Sequence, residues 1–150
     1  MKRHSESRIV PYTADLMYKV VAEMEHYPEF LPWVVGLRIL SRSKASGKDI
    51  VHAEMLVGFK NLRERYTSKV VCDPETRSID VTQTEGVFAH LENHWRFTPE
   101  GKGCRIDFEI AFEFKSRLLN AVAGAAFARA AAQMSRAFEA RAKTLSKQSL

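Results

Sequence analysis

The chain has 150 residues, 45% of them hydrophobic and 27% charged, which fits one folded domain and excludes a disordered, collagen-like or coiled-coil chain. Its longest apolar stretches, near Val20, Leu31 and Ala121, fall well short of the ~20 residues that cross a bilayer. The net charge of +5 is concentrated in residues 115–150, where Lys115, Arg117, Arg129, Arg136, Arg141, Lys143 and Lys147 face Glu139 alone and the first 114 residues carry 16 basic against 17 acidic side chains.

In chain order, the basic start from Met1 to Glu6 is followed by no apolar h-region or small-residue cleavage site of a secretory signal, so the expected compartment is the cytoplasm. Arg8, Ile9 and Val10 read as a first strand. Thr13 then caps a helix through Leu16, Met17, Val20, Val21 and Met24. Pro28 and Pro32 confine the next piece to a short turn of helix. That piece, His26 to Gly36, carries Tyr27, Phe30 and Trp33. It reads either as a turn whose aromatics plug the core edge or as an amphipathic flap at the mouth of a cavity, with Trp33 and Tyr27 able to touch a membrane.

Strands follow. Val51, Ala53, Met55 and Val57 alternate loosely, Tyr66, Ser68 and Val70 oppose Arg65, Thr67, Lys69 and Val71, and Ile79 with Val81 marks another strand. Leu91, Asn93, Trp95 and Phe97 stand opposite His90, Glu92, His94 and Arg96. Ile106, Phe108, Ile110, Phe112 and Phe114 alternate strictly with Arg105, Asp107, Glu109, Ala111 and Glu113. Breaks at Gly47 to Asp49, Gly58, Asp73-Pro74, Gly86 and Pro99 to Gly103 fall at hairpin-like intervals. The expectation is about six antiparallel strands after the helices, in a sheet with one wet face.

After Lys115 the period changes. Leu119, Val122, Ala123, Ala126, Phe127, Ala130, Met134, Phe138 and Leu145 make one apolar stripe, predicting a long amphipathic helix within Lys115 to Ser146. Eight of the twelve residues from Ala121 to Ala132 are alanine and another is Gly124, so this helix can pack closely and leaves room beside it for a ligand. The fold class is α+β: a curved antiparallel sheet wrapped around a long C-terminal helix, with two short helices after the first strand, spanning residues 1–150 as one domain. The space between sheet and helix is either filled by side chains or open to a ligand, and the pattern alone decides neither.

The sequence lacks the GxGxxG, GxxxxGK[ST], HExxH and GxSxG patterns of common nucleotide, zinc protease and hydrolase sites. His90 and His94 share a strand face at a separation of ~13 Å, too far to ligate one metal unaided, and lie on the charged register. Asp107, Glu109 and Glu113 also lie on that register, as surface acids. Cys72 and Cys104 lack CxxC partners and read as reduced, partly buried thiols. The inward registers are apolar or aromatic apart from Ser68, Asn93, Tyr66 and the Trp95 indole N–H. These are either core polar groups satisfied by backbone or the few groups that orient the polar head of an apolar ligand. No inward acid, base or nucleophile set is apparent.

Taken together, Tyr27-Pro28-Glu29-Phe30-Leu31-Pro32-Trp33, Val57-Gly58-Phe59, Ser68-Lys69-Val70, Gly86-Val87-Phe88 with Leu91, Asn93, Trp95 and Phe97, and Phe138-Glu139-Ala140-Arg141-Ala142 resemble a START-type helix-grip domain of the polyketide cyclase/dehydrase and lipid-transport superfamily. The resemblance is greatest to its coenzyme-Q-binding branch and runs from Ser5 to Leu145. Val87 departs from it, since that branch commonly has proline after the glycine.

What the resemblance implies is a non-catalytic protein that holds ubiquinone or a similar polyprenyl quinone as its ligand and serves respiration or quinone biosynthesis. The same group contains ribosome association toxins, which makes the ribosome the alternative partner, and aromatic cyclases form a third class. The candidate ligand-lining residues are Tyr27, Phe30, Leu31 and Trp33 of the flap, Met55, Phe59, Tyr66, Ser68, Phe88, Leu91, Asn93, Trp95 and Phe112 of the strands, and Phe127 and Met134 of the helix. No metal ligand or catalytic cofactor is expected. Residues 27–33 and the basic C-terminal helix are available for peripheral contact with the cytoplasmic membrane.

Overall fold

The computed structural model describes residues 1–59 and 61–148. Strand β1 (Lys2–Val10) leads into helix α1 (Ala14–Ala22), a 3-10 turn (Met24–His26) and the short helix α2 (Tyr27–Phe30). Six strands follow, β2 (Val34–Ala45), β3 (Lys48–Phe59), β4 (Leu62–Asp73), β5 (Ser78–Gly86), β6 (Phe88–Glu100) and β7 (Gly103–Phe114), and then helix α3 (Arg117–Gln148). The seven strands form one antiparallel sheet in the order β1-β7-β6-β5-β4-β3-β2. Strands β2 to β7 are a meander of hairpins. Only β1, which returns beside β7, breaks sequence order, so α1 and α2 carry the chain from one edge of the sheet to the other.

The sheet curves around α3. Register shifts between Val34 and Gly36, Ile39 and Ser41, Thr67 and Ser68, and Phe88 and His90 mark bulges, which bend a strand and increase its twist. The alternating residues of β4, β6 and β7 face inward as the sequence pattern requires, with Phe88, Phe97 and Phe108 each nearly inaccessible. Cys72 and Cys104 are buried and unpaired, and burial pushes the Cys72 thiol up to about 11.

Three features differ from the sequence expectation. Strand β1 starts at Lys2, six residues before Arg8, because its inward residues are His4, Glu6 and Arg8, which give no apolar alternation to read. These side chains meet polar groups of α3: Ser135 Oγ donates to Glu6 at 2.6 Å and Arg8 Nη2 donates to Glu139 at 2.7 Å. Strand β2 has no alternating pattern of its own, being an edge strand that is largely exposed beyond Ile39. Val122 is 61% exposed and does not belong to the buried stripe of α3. That stripe runs through Ala123, Phe127, Ala131, Ser135, Phe138 and Ala142; Val122 falls with Leu118 on the side turned away from the sheet.

Helix α3 starts where Ser116 accepts the Leu119 N–H at 3.2 Å, an ordinary N-cap bond. Asn120 fixes its angle of departure, since its amide both accepts from the Phe114 N–H and donates to the Phe114 carbonyl at 3.1 Å.

Candidate functional site

Between the concave face of the sheet and the helices lies an apolar cavity of about 90 Å³. The period-two registers supply its floor: Ala53, Met55 and Val57 from β3, Tyr66, Ser68 and Val70 from β4, Ile79 and Val81 from β5, Leu91, Asn93 and Trp95 from β6, and Ile110 from β7. Val21 and Met24 close one end. Tyr27, Leu31, Trp33 and Val34 form a lid, and Phe127, Met134 and Phe138 of α3 form the roof.

Eleven of the fifteen residues singled out from sequence line this cavity: Tyr27, Leu31, Trp33, Met55, Tyr66, Ser68, Leu91, Asn93, Trp95, Phe127 and Met134. Four do not. Phe30 sits on the outer side of the lid against Phe138, with the Arg141 guanidinium 5.2 Å above its ring. Phe59 packs edge-on to Phe127. Phe88 and Phe112 belong to an aromatic cluster with Phe114 that backs Phe127 and is filled by its own rings. The residue most clearly missed is Phe138, whose ring lies 5.1 Å from Tyr27 and 5.3 Å from Trp95, joining lid, roof and floor. Its place four residues after Met134 on the helical stripe was the signal for it.

Few polar groups face this space. The Tyr27 hydroxyl is satisfied, donating to the Val21 carbonyl. The Tyr66 hydroxyl donates to the Met55 thioether at 3.1 Å, a weak acceptor. Burial pushes both phenols above their ordinary range, so both remain neutral donors. Ser68 is 6% exposed and Asn93 7%. Asn93 is not satisfied by backbone: its Oδ1 is buried without a hydrogen-bond partner, a state that costs about 1–3 kcal/mol.

Tyr66 is positioned by Gly86, directly opposite it in the sheet. Gly86 has φ +146°, and a Cβ there would stand 2.5 Å from the Tyr66 Cβ. The turn that follows needs no proline at Val87, because the Gln83 side chain accepts from the Phe88 N–H at 3.0 Å and donates to the Phe88 carbonyl at 2.8 Å.

The lid is fastened from outside. Glu29 lies 3.3 Å from Arg141 of α3 and 2.6 Å from His26 Nδ1. The hydrogen bond to Glu29 raises the His26 pKa, and the same bond, then Arg141, lowers that of Glu29. The Gly58 N–H donates to the Trp33 carbonyl at 2.9 Å and holds the lid's far end on β3. The aromatics Tyr27 and Trp33 thus line the cavity.

The surface features are elsewhere. His94 pairs with Asp80 at 2.7 Å and Asp107 with Arg105 at 3.1 Å on the outer register. On the basic segment 115–150, Arg141 meets Glu29, while Lys115 before α3 and Arg117, Arg129, Arg136, Lys143 and Lys147 on it are exposed and form no ion pair among the described residues; the last two positions of this segment lie outside the described residues. No helix among the described residues is long and apolar enough to cross a membrane.

Residues 10–139 match the family described as polyketide cyclase / dehydrase and lipid transport. The chain belongs to that family. Among relatives in this family, it is 36% identical over 143 residues to the coenzyme Q-binding protein COQ10 homolog B, mitochondrial, of Xenopus laevis, covering 93% of this chain and 57% of that protein. The chain thus spans little more than half the length of that relative. It is 32% identical over 150 residues to the ribosome association toxin RatA of Rickettsia prowazekii, covering 98% of this chain and all of the other.

The solution structure of the 18 kDa protein CC1736 from Caulobacter crescentus is 41% identical and superposes with a TM-score of 0.79 over 98% of this chain and 99% of that one. The Zhui aromatase/cyclase from Streptomyces sp. R1128 shares the fold, with a TM-score of 0.76 at 18% identity over 95% of this chain and 93% of that one.

Proposed function

We propose that this protein is a non-catalytic carrier that holds a polyprenyl quinone in the cavity under α3. The observation that carries the reading is Asn93, 93% buried in a largely apolar wall with its Oδ1 left without a partner. A side chain held there at an energetic cost is accounted for by a ring ligand whose reduced form carries hydroxyls that donate to Oδ1. Ser68, Tyr66 and Trp95 line the same wall and, with the Asn93 amide, donate to the carbonyls of the quinone ring. The isoprenoid tail lies along Phe127, Met134 and the small-residue face of α3, each buried methylene contributing ~0.8 kcal/mol. The relative named for coenzyme Q binding agrees with this assignment.

The cavity of about 90 Å³ is well below the 300–1,000 Å³ of typical ligand pockets, so binding requires expansion. Met24, Met55 and Met134 are flexible lining residues that repack readily, and the lid moves away from α3 when the contacts of Glu29 and Phe30 with Arg141 break. Delivery uses the exposed cations of α3 together with exposed Leu118 and Val122, a combination suited to the anionic surface of the cytoplasmic membrane, where this reading has the protein act from the cytoplasm. Cyclase chemistry is disfavoured because, among the described residues, the titratable side chains lining the cavity are Tyr27 and Tyr66 alone.

Isothermal titration with a short-tail ubiquinone tests the assignment. Saturable binding that weakens in Asn93→Ala and Trp95→Phe is expected; affinity unchanged in both variants refutes the head-group contacts. The second reading is a ribosome-directed inhibitor, favoured by the unpaired cations of α3 and by the relative named as a ribosome association toxin. It requires binding to ribosomal subunits that weakens steeply with salt, since phosphate contacts release counterions.

A further inference from the structure

We infer that the cavity selects the reduced, hydroxyl-bearing form of its ring ligand over the oxidised one. The inference rests on the carrier reading above and turns on the hydrogen-bond chemistry of one side chain. In the sheet, Asn93 lies between Val81 on β5 and Ile110 on β7, so both cross-strand neighbours on its face are aliphatic. Its Oδ1 is buried without a partner, and the nearby phenol of Tyr66 is directed to the Met55 sulfur.

An amide oxygen only accepts hydrogen bonds. A quinone ring carries acceptors alone: it takes bonds from the N–H and O–H donors of the wall but leaves Oδ1 orphaned. A hydroquinone hydroxyl donates to Oδ1 and in the same position accepts from a donor such as Ser68, completing the set. Since a buried acceptor left unmade is penalised far more than a made bond is rewarded, the reduced form gains roughly tenfold or more in affinity over the oxidised form. By linkage, a tenfold preference raises the midpoint potential of the bound two-electron couple by about 30 mV.

The test is anaerobic titration calorimetry of the full chain, stripped of lipid, with decylubiquinone and with its chemically reduced quinol, repeated on Asn93→Leu. Comparing the two affinity ratios cancels the difference in solvation between the two ring forms. The expected result is a wild-type preference for the quinol of about tenfold that collapses to near unity in Asn93→Leu. Asn93→Ala, which also removes the amide, stands in if the leucine variant does not fold. Equal affinity for both forms in the wild type, or a preference unchanged by either substitution, overturns the selectivity while leaving the carrier reading intact. Binding of neither form overturns the carrier reading beneath it.

Discussion

Replacing Asn93 by leucine is expected to make the free protein more stable as it removes the ligand's polar contact. The Asn93 amide oxygen is buried without a partner, which costs about 1–3 kcal/mol relative to a satisfied group. Leucine has a similar shape, and its extra bulk is received by the adjoining cavity of about 90 Å³, so overpacking is avoided. The net expectation is a gain of about 2 kcal/mol, or about 4–8 °C in melting temperature for a chain of this size. The assay is calorimetric and urea unfolding of lipid-stripped wild type and variant, because bound ligand stabilises only the form that holds it. A variant that melts at or below the wild-type temperature would mean that the Asn93 amide finds partners in the folded protein, and the argument from an orphaned amide would fail.

Other substitutions test the frame around the cavity. Phe138→Ala removes the ring joining Tyr27 to Trp95 and should cost about 3–5 kcal/mol in urea unfolding. Gly86→Ala forces a Cβ to 2.5 Å from Tyr66 at φ +146°, so its denaturation midpoint should fall markedly, whereas Gly47→Ala, with open space around it, should lose only the smaller cost of its positive φ. The fastening of the lid should depend on pH. The lowered pKa of Glu29 means that its contribution is complete above the ordinary value of 4.5 and is lost as pH falls through the lowered one. The raised pKa of His26 means that its contribution is complete below 6.5 and is lost as pH rises through the raised one. The fastening is therefore fullest between 4.5 and 6.5, and stopped-flow quinone release should be faster at pH 8 than at pH 5.5, a difference that Glu29→Gln should flatten.

The sheet and helix were legible wherever burial imposed a period. Strands β4, β6 and β7 each bury one face, so Tyr66, Ser68, Asn93, Trp95 and Phe108 could be placed inward from alternation alone. Strand β1 was not legible before Arg8, because its inward face is polar and Glu6 and Arg8 bond to Ser135 and Glu139, partners separated by more than a hundred residues. The edge strand β2 buries too little to leave a pattern. Val122 entered the predicted stripe because a helical repeat fixes a face only approximately, and packing on β7 and β1 selected the neighbouring Ala123 row.

At the site, alternation identified which side chains point inward but not which of them meet a cavity. Phe88 and Phe112 point inward as Leu91 does, yet Phe88 stacks on Phe114 and Phe112 meets it edge-on, and the three fill their own space. How bulky side chains divide a concave face between packed core and open volume is a property of three-dimensional packing that no one-dimensional period contains.

The most direct test of the carrier reading is native mass spectrometry of the protein purified from its own host, with lipid extraction and mass identification of whatever accompanies it. The account predicts a polyprenyl quinone or its quinol at close to one per chain, lost in Asn93→Ala. A protein that carries no lipid and sediments with ribosomal subunits instead would contradict it.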